Sequence, residues 1–96
     1  MTGKADVIVV GGGVIGASVA YQLAKRGQKV ILVEKRDLAS GASGSCDTSI
    51  FLQSKNAGIH LELALASAEI FKGLRNELEH DIEYHNKGGM ILIETA

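Results

Sequence analysis

A cluster of glycines between an apolar segment and an amphipathic one limits the fold of this chain more than any other feature. Residues 11–16 read Gly-Gly-Gly-Val-Ile-Gly and satisfy the pattern G-x-G-x-x-G. The four residues before the cluster are all apolar and β-branched, as in a strand buried on both faces of a parallel sheet. Apolar residues then recur at helical spacing up to Gly27, where a C-cap glycine is expected. The pattern predicts a strand at about 6–10 and a helix at about 14–26.

A second apolar run follows the helix at once and ends on an acidic residue. Residues 29–34 read Lys-Val-Ile-Leu-Val-Glu, which predicts a second strand over that range. A strand, a helix and a strand within about 30 residues form a βαβ unit, whose two strands are parallel. The predicted fold class is therefore α/β, a Rossmann-type FAD/NAD(P)-binding βαβ unit, with the rest of the chain forming a partial domain.

The remaining residues predict one long helix between less regular segments. Residues 36–56 are rich in serine and glycine, which indicates an extended loop. A helix is predicted at about 57–80, and the strands expected after it, at about 82–85 and 89–94, are short. The apolar stripe expected to be buried along the long helix consists of Ile59, Leu63, Ala66, Ile70, Leu74 and Leu78.

The glycines at the turn each have a physical role in binding a dinucleotide. Gly11 allows the tight turn, Gly13 lets a pyrophosphate approach the backbone, and Gly16 lets the helix pack closely against the strand. The backbone N–H groups of Val14 and Ile15 lie at the positive end of the helix dipole and would face the phosphates. The pattern alone is weak, and its position between a strand and a helix is what makes it informative.

Glu34 stands where a dinucleotide-binding βαβ unit places the carboxylate that binds the adenosine ribose. Such a carboxylate accepts hydrogen bonds from the ribose hydroxyls and repels a 2′-phosphate, so NADP is disfavoured. The alternative is a glycine turn with no ligand and a solvated glutamate at the end of a strand. Both FAD and NAD remain compatible with these residues.

Charge and hydropathy exclude several classes of partner. The 96 residues carry a formal net charge of −1, so the chain lacks the basic excess expected of a nucleic-acid-binding protein. No apolar segment approaches the ~18 residues required for a membrane span. The N-terminus has no signal-peptide pattern, and the chain holds one cysteine. We therefore expect a soluble cytoplasmic protein.

Side chains suited to catalysis or metal binding are scattered. Cys46 has no partner cysteine and no basic neighbour in sequence that would stabilise a thiolate, so a small packed residue is favoured over a redox thiol or a covalent tether to the cofactor. His60, His80 and His85 lack a second ligand at metal-binding spacing and are interpreted as surface histidines. The sequence assigns no metal site and no catalytic residue.

Three segments together resemble the D-amino-acid-oxidase-like (DAO) superfamily of FAD-dependent oxidoreductases, which includes glycine oxidase, sarcosine oxidase and the dye-linked proline dehydrogenases. These segments are residues 6–27, the Val-Glu-Lys at 33–35 and the Ser-Gly-Ala-Ser-Gly at 40–44. The resemblance implies that FAD is the cofactor. It also implies that residues 1–96 are the N-terminal portion of an FAD-binding domain, about the first quarter of such an enzyme, without its substrate domain.

The same resemblance implies which residues contact FAD. The pyrophosphate would lie at Val14 and Ile15, and the ribose at Glu34 with Lys35 beside it. The serine-rich loop would run beneath the diphosphate towards the flavin ring. The full set of predicted cofactor-binding residues is Gly11, Gly13, Val14, Ile15, Gly16, Glu34, Lys35, Ala42, Ser43, Cys46, Asp47 and Thr48.

By resemblance, the whole protein would oxidise a small-molecule amine or amino acid by hydride transfer to the flavin. Two alternatives remain open for the chain itself: a non-catalytic dinucleotide-binding fragment that needs a partner chain, and an NAD-dependent dehydrogenase. The latter should continue after Glu34 with a third strand in place of the serine-rich loop. The site would be completed by the remaining domain, a partner subunit or a homo-oligomer.

Overall fold

The computed structural model describes residues 3–95, which belong to two compact units, Met1–Thr48 and Ser49–Ala96. We call them the N-terminal unit and the C-terminal unit. The N-terminal unit contains, in chain order, β1 (Val7–Val10), α1 (Val14–Lys25), β2 (Val30–Val33) and α2 (Ala42–Ser45). The C-terminal unit contains one long helix, α3 (Ile59–Leu78).

The two strands of the N-terminal unit pair in parallel. Val7 lies opposite Val30, and the register continues without a bulge to Val10 opposite Val33. A parallel pair requires a crossover, which α1 supplies by packing against both strands. The predicted fold class, a partial Rossmann-type α/β unit, is confirmed.

Local sequence explains where α1 ends. Gly27 adopts a left-handed φ of 82°, a conformation that costs glycine little. Its N–H donates to the carbonyl of Ala24 at 2.9 Å, and the N–H of Gln28 donates to that of Leu23 at 3.1 Å. These two bonds form a Schellman motif, which satisfies carbonyls that the helix end would otherwise leave unpaired.

The sheet is covered on one face in the described residues. Alternate strand residues are half-buried, whereas Ile8 and Val10 are 62% and 84% exposed. The sequence predicted a strand buried on both faces. The difference arises because one crossover helix covers only one face of a sheet.

The half-buried stripe of α3 shares only Leu74 with the stripe predicted from the sequence. Ile59, Leu63 and Ile70 are each more than 60% exposed. The half-buried positions of the helix are Leu61, Ala64, Ala68, Phe71 and Leu74. α3 therefore carries two apolar stripes. The helical periodicity of the sequence alone could not predict which of the two would be covered by the chain that follows the helix.

The chain after α3 returns along the helix without forming a strand. The ring of Tyr84 stacks on that of Phe71, with their centroids 5.7 Å apart. The strands predicted at 82–85 and 89–94 are not formed in the described residues. A strand requires a neighbouring strand to satisfy its N–H and C=O groups, and the described sheet consists of β1 and β2 alone.

No helix among residues 3–95 combines the length and the apolar character needed to cross a bilayer. The same residues hold no cluster of three or more His, Cys, Asp or Glu side chains that could bind a metal ion.

Candidate cofactor-binding site

The glycine turn links the end of β1 to the start of α1 and is held against β2. Gly11 has a φ of 107°, a backbone conformation that side chains rarely tolerate. Its N–H donates to the carbonyl of Val33 at 2.8 Å, which extends the parallel pairing by one bond. The first intrahelical bond of α1 runs from the N–H of Ala17 to the carbonyl of Gly13 at 2.9 Å.

Gly16 allows α1 to lie close to the turn. A Cβ at this position would be 1.9 Å from the carbonyl oxygen of Gly11, a distance that real Cβ atoms do not adopt. The obstructing atom belongs to the backbone, so a rotamer change cannot relieve the clash. This packing requirement is the role that the sequence pattern assigned to Gly16.

Gly12 was not among the predicted site residues, and it is the one buried residue in the described part of the chain. Its N–H donates to Oε2 of Glu34 at 2.8 Å, and its carbonyl accepts the N–H of Ala39 at 2.9 Å. A Cβ at Gly12 would lie 2.6 Å from Cδ2 of Leu38. The sequence signal that could have identified Gly12 is the presence of a glycine at the variable position x of the pattern G-x-G.

The carboxylate of Glu34 is an acceptor fixed by backbone donors. Besides the N–H of Gly12, it accepts the N–H of Arg36 on Oε1 at 3.0 Å. The hydrogen bond from Gly12, then that from Arg36, lowers the pKa of Glu34 below its ordinary value, and the charge of Lys35 acts in the same direction. Glu34 is therefore ionised at neutral pH and remains a hydrogen-bond acceptor.

The lowered pKa of Glu34 predicts how the glycine turn responds to acid. A carboxylate whose pKa is depressed on folding stabilises the fold above its unfolded pKa, and this contribution is lost as the pH falls through the folded pKa. We expect the amide resonance of Gly12 to shift in an acid titration, in the range where glutamates titrate or below it. A Glu34→Gln variant should show no such step, and an unchanged titration in that variant would contradict the assignment.

The helix α2 brings Ser43 to the start of α1. The N–H of Val14 donates to Oγ of Ser43 at 2.8 Å. A Cβ at Gly13 would lie 2.9 Å from the same Oγ, so the absence of a side chain at Gly13 makes room for the Ser43 hydroxyl at the start of α1. Sγ of Cys46 donates to the carbonyl of Ser43 at 3.2 Å.

The predicted site residues thus divide into two groups. The contacts described above join the glycine turn to Glu34, Ser43 and Cys46, which form the first group.

The residues of the second group are exposed. Ile15 is 78% exposed at the start of α1, and Lys35 is exposed beside Glu34. Ala42 begins α2, whereas Asp47 and Thr48 follow it in exposed chain. The roles of all these residues in binding FAD remain predictions.

The chemistry of this arrangement fits a dinucleotide. Backbone N–H groups at the start of a helix attract phosphate oxygens, and Gly13 has no side chain to block their approach. Glu34 offers an ionised acceptor at the end of β2, where a ribose would lie. Residues between Glu34 and α3 form the short helix α2 and no third strand.

Comparison with known proteins gives a family match over almost the whole chain. The family model described as "FAD dependent oxidoreductase" (DAO) matches residues 6–96. A glycine oxidase from Geobacillus kaustophilus is 38% identical over 99% of this chain and 27% of its own length. A pyruvate dehydrogenase phosphatase regulatory subunit from Mus musculus is 31% identical over 96% of this chain and 10% of its own length.

A shorter match is also informative. A probable sarcosine oxidase from Arabidopsis thaliana is 69% identical over 36% of this chain and 8% of its own length. The chain spans at most about a quarter of the length of these relatives. The predicted resemblance and the predicted cofactor, FAD, are both confirmed. The chain belongs to the DAO family of FAD-dependent oxidoreductases.

Proposed function

We propose that this chain provides the adenosine-diphosphate-binding part of the FAD site in an oxidoreductase of amines or amino acids. The observation that carries the proposal is the glycine turn held between Glu34 and Ser43, within a chain that matches the family over residues 6–96. The choice of substrate class follows two of the relatives, a glycine oxidase and a probable sarcosine oxidase.

In this proposal Glu34 binds the ribose while it holds the turn. Each of its two oxygens accepts one backbone N–H. A carboxylate has about four lone-pair sites, so both oxygens can accept a further bond from a ribose hydroxyl. The fixed position of the carboxylate reduces the conformational entropy lost on binding.

The diphosphate would lie in front of α1, over Gly13 and close to Val14 and Ile15. The loop that holds Ala42 to Thr48 would continue towards the flavin. When bound, the flavin supplies the redox chemistry by accepting a hydride from the carbon that bears the amine. The residues of this chain bind and orient the cofactor.

The remainder of the protein would supply the substrate-binding residues. Large apolar side chains are exposed in both units, including Val10 at 84% and Leu92 at 88%, and no hydrophobic residue among 3–95 is fully buried. We propose that these surfaces are covered by the remaining domain, a partner subunit or a second copy of the chain. A cytoplasmic location is part of the same proposal.

A non-catalytic role is the second candidate, and one comparison favours it. The mouse relative, which matches 96% of this chain, is named as a regulatory subunit. A protein of this kind would use the glycine turn to bind FAD or ADP without oxidising an amine.

A titration with FAD, followed by addition of glycine or sarcosine, tests the proposal. We expect FAD to bind with quenching of flavin fluorescence, and the full-length protein to bleach the flavin when the amine is added. Binding without bleaching by any amine tested would favour the second candidate. Preferential binding of NAD in a parallel titration would contradict both.

Glu34→Ala should weaken FAD binding by about 1.5–3 kcal/mol, the range for hydrogen bonds to a charged group. Glu94→Ala is the matched control because Glu94 is an exposed glutamate of the C-terminal unit and is not among the predicted cofactor-binding residues. Isothermal titration of both variants measures the difference. Equal affinities would show that Glu34 does not contact the cofactor.

A further inference from the structure

Two residues on either side of α2 adopt a left-handed backbone conformation although neither is a glycine. Ala39 and Thr48 both have a φ of 58°. A positive φ is unfavourable for a residue with a Cβ, and it is a genuine outlier for a β-branched residue such as threonine. The glycines between them, Gly41 and Gly44, do not have a positive φ. The strain therefore lies at the two ends of the segment.

The segment from residue 39 to residue 48, which we call the strap, is built on its first residue. A Cβ on Gly44 would lie 2.1 Å from the carbonyl oxygen of Ala39, so α2 packs directly against that carbonyl. Rotation about the N–Cα bond of Ala39 moves the carbonyl and α2 together. The same rotation preserves the bond from the N–H of Ala39 to the carbonyl of Gly12. Ala39 can therefore act as a hinge, a position that absorbs a change in φ.

A solvent-exposed hydrogen bond joins the middle of the strap to the glycine turn. The N–H of Val14 donates to Oγ of Ser43 at 2.8 Å. A single hydrogen bond of this kind adds only modest net stability, because water replaces the lost partner when it breaks. Two left-handed residues with side chains cost a free energy of similar order. The closed strap and an open one, in which this bond is broken and the strain released, thus lie close in free energy.

The closed strap lies at the place where the proposed diphosphate would enter. Val14 is the first residue of α1, and its N–H is occupied by the strap while the strap is closed. We propose that the strap opens, by rotation at Ala39 and Thr48, to admit and release the cofactor. This inference rests on the proposed function and adds to it the route by which the diphosphate reaches its site. The strain at the two hinges keeps the closed strap from being locked.

Hydrogen exchange of the Val14 amide tests whether the hinges control the strap. Thr48→Gly stabilises the closed strap, because glycine adopts a positive φ without the cost that threonine bears. Allowing for the greater chain entropy of glycine, we expect this amide to exchange about 2- to 5-fold more slowly in the variant, without FAD. The amide of Ala17, bonded to Gly13 within α1, is the internal reference and should exchange equally in both proteins. NMR measures both rates, and an unchanged rate at Val14 would overturn the proposal.

The kinetics of FAD binding test whether the strap is the route. The closed strap is strained with or without the cofactor, so glycine at a hinge stabilises both closed forms and makes opening rarer. FAD should therefore associate and dissociate about 2- to 5-fold more slowly in Ala39→Gly, with the Kd unchanged. Ala39 is the hinge to use because it is not a predicted cofactor-binding residue. Stopped-flow flavin fluorescence measures both rates, which a merely structural role would not change.

Ser40→Gly is the matched control for both experiments. Ser40 is an exposed residue of the strap, and its φ is not positive. Glycine there relieves no strain and adds freedom to the open strap. Exchange at Val14 and both FAD rates should consequently be unchanged or faster than in the wild type.

Three results would overturn the strap as the route while leaving the proposed function intact. The first is slower exchange at Val14 with unchanged FAD rates. The second is a change in only one of the two FAD rates, because the Kd would then change. The third is an equal slowing in Ser40→Gly, which would assign the effect to glycine itself. Failure of the wild-type protein to bind FAD would overturn the proposed function and the route together.

Discussion

Replacing Gly16 with alanine is expected to separate α1 from the glycine turn and to abolish FAD binding. The new Cβ would lie 1.9 Å from the carbonyl oxygen of Gly11, so the helix or the turn has to move. Overpacking of this kind costs about 1–3 kcal/mol and sometimes more. Urea unfolding followed by circular dichroism measures the loss of stability, and a titration with FAD measures the loss of binding.

Gly73→Ala is the matched control for this substitution. Gly73 lies within α3, and a Cβ there would meet nothing within 4 Å. Because alanine is favoured over glycine inside a helix, the control should gain roughly 0.5–1 kcal/mol. Wild-type stability in Gly16→Ala would show that the close approach of helix and turn does not determine the fold.

Replacing Gly13 with valine is expected to abolish FAD binding while leaving the strand and helix in place. The Cβ would lie 2.9 Å from Oγ of Ser43, a side-chain atom that can move aside. The two methyl groups would then occupy the space through which a diphosphate approaches the helix. Losing two hydrogen bonds to a charged group corresponds to a loss of at least about 100-fold in affinity.

Gly41→Val makes the same change just before α2, where a Cβ meets nothing within 4 Å. It should retain FAD affinity close to that of the wild type. Fluorescence titration compares the two variants, and circular dichroism confirms that both are folded. If Gly13→Val bound FAD as Gly41→Val does, the diphosphate would have to lie elsewhere.

The βαβ unit could be predicted because its signals are local. The β-branched runs, the glycine pattern and the C-cap at Gly27 each occupy a few neighbouring residues. The sequence pattern could not predict the contacts between residues that build the site. Gly12 and Glu34 are 22 residues apart in the chain, and Val14 and Ser43 are 29 apart, so their pairing depends on tertiary structure.

The C-terminal unit differs from prediction for a related reason. Two apolar stripes share α3, and Tyr84 stacks on Phe71, which belongs to the half-buried stripe. The segment 89–94 has the composition of a strand, but strand formation depends on a partner that composition does not reveal. Local propensity identified β1, α1, β2 and α3, and contacts distant in sequence determined which of their side chains are half-buried.

Gly12 also restricts how the chain length can vary around the site. Its N–H is bonded to Glu34 and its carbonyl to Ala39, so both ends of the stretch from Glu34 to Ala39 are tied to one residue. An added or deleted residue within that stretch would break one of these bonds or shift Ser43 away from α1. The length of the serine-rich loop is therefore fixed up to Ala39, whereas the largely exposed chain that follows the predicted cofactor-binding residues, after Thr48, can accept insertions.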